Sequence, residues 1–317
     1  MADEIANVNG KDSMAFVGEK PWHLKGQELT KDASIETWIE EAGMNFEIKS
    51  TDVQYQLNGT QTYAGKKVLY RDDVGTPLAV LSDKYKIVQP KEIMEFFRDL
   101  TQSAGMYLET AGVLFDGRRY WAMANTGRAG EVLGNDKVKG NLLLSTACDG
   151  SLATTAMFTA VRVVCNNTLR LSLDSAKSAI KVNHGRTFDA ADVKLQLGLI
   201  DIAWDNFMKN INVLSTKSVS DEAARKFFFN LTKNPEVLDS EQSFVVERTV
   251  NDLMNRFKNG IGHDFHANTA WGLVNAVTER VGYAGKGSLD AKFTENFYGN
   301  KAKIADTAYA SAVEMYV

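Results

Sequence analysis

The sequence predicts an α+β fold: an antiparallel, meandering β-sheet with packed helices, followed by a helical C-terminal region. Three observations carry this. Between residues 45 and 165, apolar residues alternate in short runs separated by turn dipeptides, the period of half-buried strands. From Phe188 onward the apolar spacing becomes three and four, the period of amphipathic helices. Hydrophobic residues make up 44% of the 317 and charged residues 24%, the balance of a globular chain able to bury a core.

The chain divides by this pattern into a flexible N-terminal arm (1–20), a β-rich domain (21–186) and a helical region (187–317). The arm is polar, and Pro21-Trp22-His23 opens the compact part. Residues 34–42 read as a short helix capped by Ser34, with Ile35, Trp38 and Ile39 on one face and Gly43 after its end. Glu47–Leu57 alternates as a strand. Lys67–Tyr70 and Leu78–Leu81 flank a turn-rich run and read as a hairpin, and Tyr85–Gln89 reads as a short strand. Pro90 stands where a helix begins, running to about Gln102 with Ile93, Phe96, Phe97 and Leu100 buried. Two further hairpins turn at Asp116-Gly117 and Asp149-Gly150. After Cys165, the run Asn166-Asn167-Thr168 offers N-caps for a helix to about Ile180, and 181–187 is a basic, polar break. Helices are expected at about 188–212, 221–232, 240–258, 268–283 and 301–316, the fourth capped by Asn268 and stopped at Gly282.

Composition narrows the function classes. The formal charge of −4 makes the chain no polycation, so contact with an anionic polymer requires a local patch. The only cysteines, Cys148 and Cys165, sit among small and apolar residues with no C-x-x-C spacing, which fits a reducing compartment. No apolar stretch approaches the roughly 20 residues of a membrane span, and the polar, acidic N-terminus has no signal-peptide pattern. The expected location is the bacterial cytoplasm.

One local patch stands out. Residues 137–186 hold Lys137, Lys139, Arg162, Arg170, Lys177, Lys181 and Arg186 against only Asp149 and Asp174, a net of +5. Such an asymmetry lets one face attract phosphates, although an ordinary solvated surface gives the same count. Asn166, Asn167 and Thr168 at a helix start, with Arg162 before and Arg170 after, would form an anion site, or simple caps. Arg118-Arg119-Tyr120-Trp121 joins cations to rings, which serve either as base-stacking platforms or as core and cross-strand pairs.

Catalytic patterns are weak. His263 and His266 lack further ligands at metal spacing, Cys165 has no histidine nearby, and no G-x-x-x-x-G-K-[ST] loop exists. No cofactor or metal is expected, and the chain reads as a non-enzyme.

Several segments together resemble the phage/plasmid-related protein family, an uncharacterised domain family of phages, plasmids and bacterial chromosomes. They are Pro21-Trp22-His23, the run Leu81–Gln89, Ala111-Gly112 with Gly117-Arg118-Arg119, the run Ser145–Ser151, the run Val161–Leu169 and the run Asn268–Thr278, in the family's order over about 20–285. The layout of strand meander, helix and hairpin is also distantly similar to Rad-type single-strand annealing proteins, which assemble into rings or filaments and bind DNA without ATP. That layout is an analogy of fold, not of matched motifs.

The resemblance and the basic window together lead to one expectation: a homo-oligomer that binds single-stranded DNA and anneals it without ATP in phage or plasmid recombination. Arg162, Arg170, Lys177, Lys181 and Arg186 would hold phosphates, and Tyr120 or Trp121 would stack on bases. The alternative is a protein-interaction or structural component of a mobile element, indifferent to DNA. An unrecognised nuclease would need carboxylates that converge only in the fold.

Overall fold

The computed structural model describes residues 5–18, 25–103, 105–132, 136–162, 168–170, 179–189, 191, 200–232, 240–283 and 297–317. It is α+β, with antiparallel sheets and a helical C-terminal region. Two short strands, β1 (Asn7–Val8) and β2 (Lys11–Asp12), pair with each other. The main sheet is built from β3 (Met14–Val17), β4 (Gln27–Leu29), β8 (Tyr107–Leu114), β9 (Arg119–Val132), β10 (Asp136–Ala147), β11 (Thr154–Arg162), β12 (Thr168–Arg170) and β13 (Ile180–Val182). Its order is β12-β11-β10-β9-β8-β3-β4, with β13 also on β11, and only the β3–β4 pair is parallel. A second, three-stranded antiparallel sheet contains β5 (Ile48–Gln56), β6 (Thr60–Arg71) and β7 (Pro77–Ser82).

Local chemistry explains the first helices. In α1 (Ile35–Glu41), the Ser34 hydroxyl accepts the Thr37 amide, and Ile35, Trp38 and Ile39 are buried. Gly43, with φ of 67°, takes the left-handed turn that ends it. α2 (Pro90–Ser103) starts at the expected proline, and Glu92 reaches back 2.6 Å to the Gln89 amide, satisfying a donor at the helix start. The Gln89 side chain also exchanges two hydrogen bonds with the Ile48 backbone, tying the helix to β5. The C-terminal helices are α3 (Ile200–Thr216), α4 (Asp221–Thr232), α5 (Ser240–Asn259), α6 (Ala270–Tyr283) and α7 (Asn300–Tyr316).

The main sheet is covered on both faces. One face belongs to a continuous core that runs from Trp38, Phe96 and Phe97 through Leu142 and Phe158 to Trp204, Phe207, Trp271 and Ala308. The other carries a smaller core of Ile5, Met14, Leu114, Trp121, Leu143 and Met157, against which Phe297 and Tyr298 pack. Among the described residues no helix is long and apolar enough to cross a membrane.

Four local expectations are corrected. Residues 5–18 are not a loose arm, because Ile5, Met14 and Phe16 are buried and β3 pairs with β8. Tyr85–Gln89 forms no strand. Thr168–Arg170 does not open a helix: it pairs with Thr159–Val161 as an outer strand. The outer edge of β11 presents backbone groups that need partners, and β12 and β13 supply them. Asn268 has φ of 53° and is not the cap of α6; the Thr269 hydroxyl accepts the Gly272 amide at 3.1 Å instead.

Candidate nucleic-acid interface

The turn end of the main sheet gathers three segments distant in sequence. Lys86 donates its amide to the His184 carbonyl at 2.8 Å, joining the stretch after β7 to the stretch after β13. The His184 ring stacks on Tyr85 with centroids 4.5 Å apart and planes at 17°. Its Nδ1 lies 2.9 Å from the Lys86 carbonyl oxygen, and its Nε2 lies 3.1 Å from that of Leu152 and 3.4 Å from the Thr146 hydroxyl. The Tyr85 hydroxyl donates to the Ala147 carbonyl at 2.7 Å. Burial pushes that phenol well above its ordinary range.

Four exposed cations lie within three residues of this stack: Lys84 and Lys86 beside Tyr85, Lys181 and Arg186 on either side of His184. None of the four forms an ion pair among the described residues. Three carboxylates lie in the same loops, Asp83, Asp149 and Asp189; Asp149 accepts the Ser151 amide and Asp189 the Ala191 amide, each at 2.9 Å. The excess is therefore positive at this end of a chain whose total is −4.

The residues expected from the sequence do not all come together. Lys181 and Arg186 belong to this cluster. Arg162 and Arg170 lie elsewhere along the same edge. In the strand register Lys181 stands opposite Thr155 and Arg170 opposite Thr159, four steps or roughly 13 Å apart, and Arg162 is about 23 Å from Thr155. The anion site at a helix start is overturned at Thr168, which is in a strand; Asn166, Asn167 and Lys177 lie outside the described residues.

Arg118 and Arg119 are occupied with structure. Arg118 Nε donates to the Phe115 carbonyl at 3.1 Å, and Arg119, 6% exposed, donates to the Ser151 hydroxyl at 3.1 Å. Both guanidiniums lie over the Phe115 ring, at 5.5 and 5.2 Å. The stacking role for Tyr120 and Trp121 is corrected as well. Tyr120 is 0% and Trp121 5% exposed, so neither ring offers a face to a base. Alternation along β9 puts them on opposite faces, and each face has its own core. The Tyr120 hydroxyl donates to the Val88 carbonyl, and burial raises it far above the usual phenol range.

Sequence reasoning missed Lys84, Lys86 and His184 as members of one group. The alternating cations of Leu81–Gln89 were a signal, but only the Lys86–His184 backbone pairing brings them to Lys181 and Arg186.

A second polar group lies on the sheet face at two register shifts, one between Leu108 and Thr110 and one between Lys139 and Asn141. Glu109 accepts from Lys139 at 2.8 Å and from Asn125 and Asn141 at 3.1 Å each. Burial, and then the Glu109 carboxylate, raise the neighbouring Tyr107 phenol, over whose ring Lys31 lies at 4.7 Å. The charges of Glu109 and Lys139 balance, so this group reads as an internally compensated pair rather than a docking surface. Among the described residues, no three His, Cys, Asp or Glu side chains are arranged to hold a metal ion.

No curated protein and no solved structure matches the chain. Residues 77–304 match a domain of unknown function, DUF932, in a span that begins at β7 and includes the Lys84–Lys86 and Lys181–Arg186 segments. With most of its length inside that match, the chain belongs to the DUF932 family.

Proposed function

We propose that this protein binds single-stranded DNA through the basic turn end of its main sheet and anneals complementary strands without ATP. In this reading it acts as a homo-oligomer in phage or plasmid recombination in the bacterial cytoplasm. It holds and presents strands rather than catalysing a reaction. The observation that carries the reading is the placement of Lys84, Lys86, Lys181 and Arg186, all exposed and none in an ion pair among the described residues, beside the Tyr85–His184 stack. Mobile phosphates are the natural partners for cations left unpaired on an ordered surface. In the strand register Arg162 of β11 and Arg170 of β12 stand farther along the same edge.

Annealing of two dye-labelled complementary oligonucleotides without nucleotide tests this. The protein is expected to accelerate annealing, and Lys84→Ala/Lys86→Ala, exposed changes that leave the fold intact, to remove most of the acceleration. Annealing no faster than without protein would overturn the reading and favour a partner-protein role indifferent to DNA.

A further inference from the structure

The geometry points to the β5–β6 ribbon as the element that grips unpaired bases, by stacking them on Tyr55 and Tyr63. This inference rests on the DNA-binding reading and adds the source of its selectivity for single strands. The ribbon is the least covered regular structure among the described residues. The third strand, β7, reaches β6 only as far as Lys66, opposite Ser82. Beyond that point β5 and β6 continue alone to a tight three-residue turn, Leu57-Asn58-Gly59, whose last two residues take positive φ angles of 51° and 111°.

Side chains that would normally be buried line this projection. Tyr55 is 45%, Leu57 62% and Tyr63 55% exposed. Gln61 stands directly opposite Tyr55, and alternation along β6 puts Tyr63, at the edge of the register shift after Thr62, on the same face. The opposite face carries Gln54, Gln56, Thr60 and Thr62, polar and uncharged. A two-stranded ribbon with no packed face is marginal in water, so an occupant for the ring face is expected.

Charge and backbone decide which occupant fits. Adding a strand from a second copy is disfavoured, because β5 carries Lys49 and Asp52 and the pairing slips between Asp52 and Gln54. Asp52 is neutralised by Lys67, and Lys66 is exposed with no ion pair among the described residues. The ribbon also springs from the basic cluster: the Asp83 amide donates to the Gly65 carbonyl at 3.2 Å, immediately before Lys84. Phosphates on Lys66, Lys84 and Lys86 would therefore bring bases beside the two rings. A base in a duplex has no free face, so the rings select single strands.

The test compares wild type, Tyr55→Ala/Tyr63→Ala and Tyr55→Phe/Tyr63→Phe in anisotropy titrations with one oligonucleotide, single-stranded and as its duplex, over a salt series. The alanine pair is expected to weaken single-strand binding about 100-fold, roughly tenfold per ring, with duplex binding and salt slope unchanged. The phenylalanine pair is expected to bind like wild type. Wild-type, salt-dependent binding that the alanine pair leaves intact overturns the ribbon's role alone. Absence of binding by wild type overturns both readings. Sedimentation showing that the alanine pair loses an oligomer, with single-strand affinity retained, assigns the ring face to a second copy and also overturns the inference.

Discussion

At the scale of single residues, burial determines what the polar groups at the turn end of the sheet can do. Cys148 is 1% exposed, and its Sγ lies 3.5 Å from the carbonyl oxygens of Gly117 and Arg118. Burial pushes its thiol up to about 12, from an ordinary value of 9.0. A thiol held neutral is a poor nucleophile, so Cys148 is expected to resist alkylation in the native protein at mildly alkaline pH and to react once unfolded. The same shift predicts pH-dependent stability. The folded state keeps a proton that the unfolded chain loses above about pH 9, so this stabilisation is complete below pH 9 and is lost as pH rises toward 12. The buried phenols of Tyr85 and Tyr120 add a loss of the same sign at higher pH. Urea midpoints between pH 8 and 10.5 are expected to fall in wild type and to fall less steeply in Cys148→Ala. Equal slopes in the two proteins would contradict the assignment.

At the scale of elements, the hairpin turns show how far local chemistry reaches. The turn between β8 and β9 uses Asp116 and Gly117 at φ of 56° and 112°. A Cβ on Gly117 would stand 2.7 Å from Arg71 Cδ. Arg71 has no room to withdraw: it is 2% exposed, bonded to both carboxylate oxygens of Asp73 at 2.7 and 3.0 Å, and stacked 3.9 Å over Phe46. Gly117→Ala is expected to cost about 2–4 kcal/mol, combining left-handed strain with displacement of the buried Arg71 side chain. Gly150 also has positive φ, but a Cβ there meets only Leu81 at an ordinary 3.4 Å, so Gly150→Ala is expected to cost about 1 kcal/mol. Denaturant titration of the two variants checks the order, which equal costs would contradict.

Those turns and the helix starts at Ser34 and Pro90 were legible because their signals lie within a few residues. Thr168–Arg170 was not. Asn166-Asn167-Thr168 reads locally as a cap, whereas the deciding factor, the open edge of β11, exists only once the sheet has formed. Tyr120 and Trp121 failed for a related reason. Alternation assigns each ring a face, but the second core that covers Trp121 draws on Phe297 and Tyr298 from the far end of the chain.

At the scale of the whole molecule, the continuous core crosses residue 186, where the sequence pattern changes, so Phe158 of the sheet packs against Trp204 of α3 with ring centroids 6.0 Å apart. The chain is acidic in total, yet the turn end of its sheet is basic, because backbone pairing between Lys86 and His184 adds Lys84 and Lys86 to Lys181 and Arg186. Half of that cluster was legible as a charge window. The other half, Lys84 and Lys86, lay outside the window, and only the fold joins them to Lys181 and Arg186.

The most direct test is the affinity for a single-stranded oligonucleotide against salt concentration, in wild type and in Lys84→Ala/Lys86→Ala and Lys181→Ala/Arg186→Ala. With about 0.7 counterions released per phosphate contact, four cations predict a log–log slope near −3, and each pair of substitutions is expected to reduce its magnitude by about 1.4. Binding without salt dependence, or a slope that neither pair of substitutions changes, would contradict the assignment of this basic face to DNA.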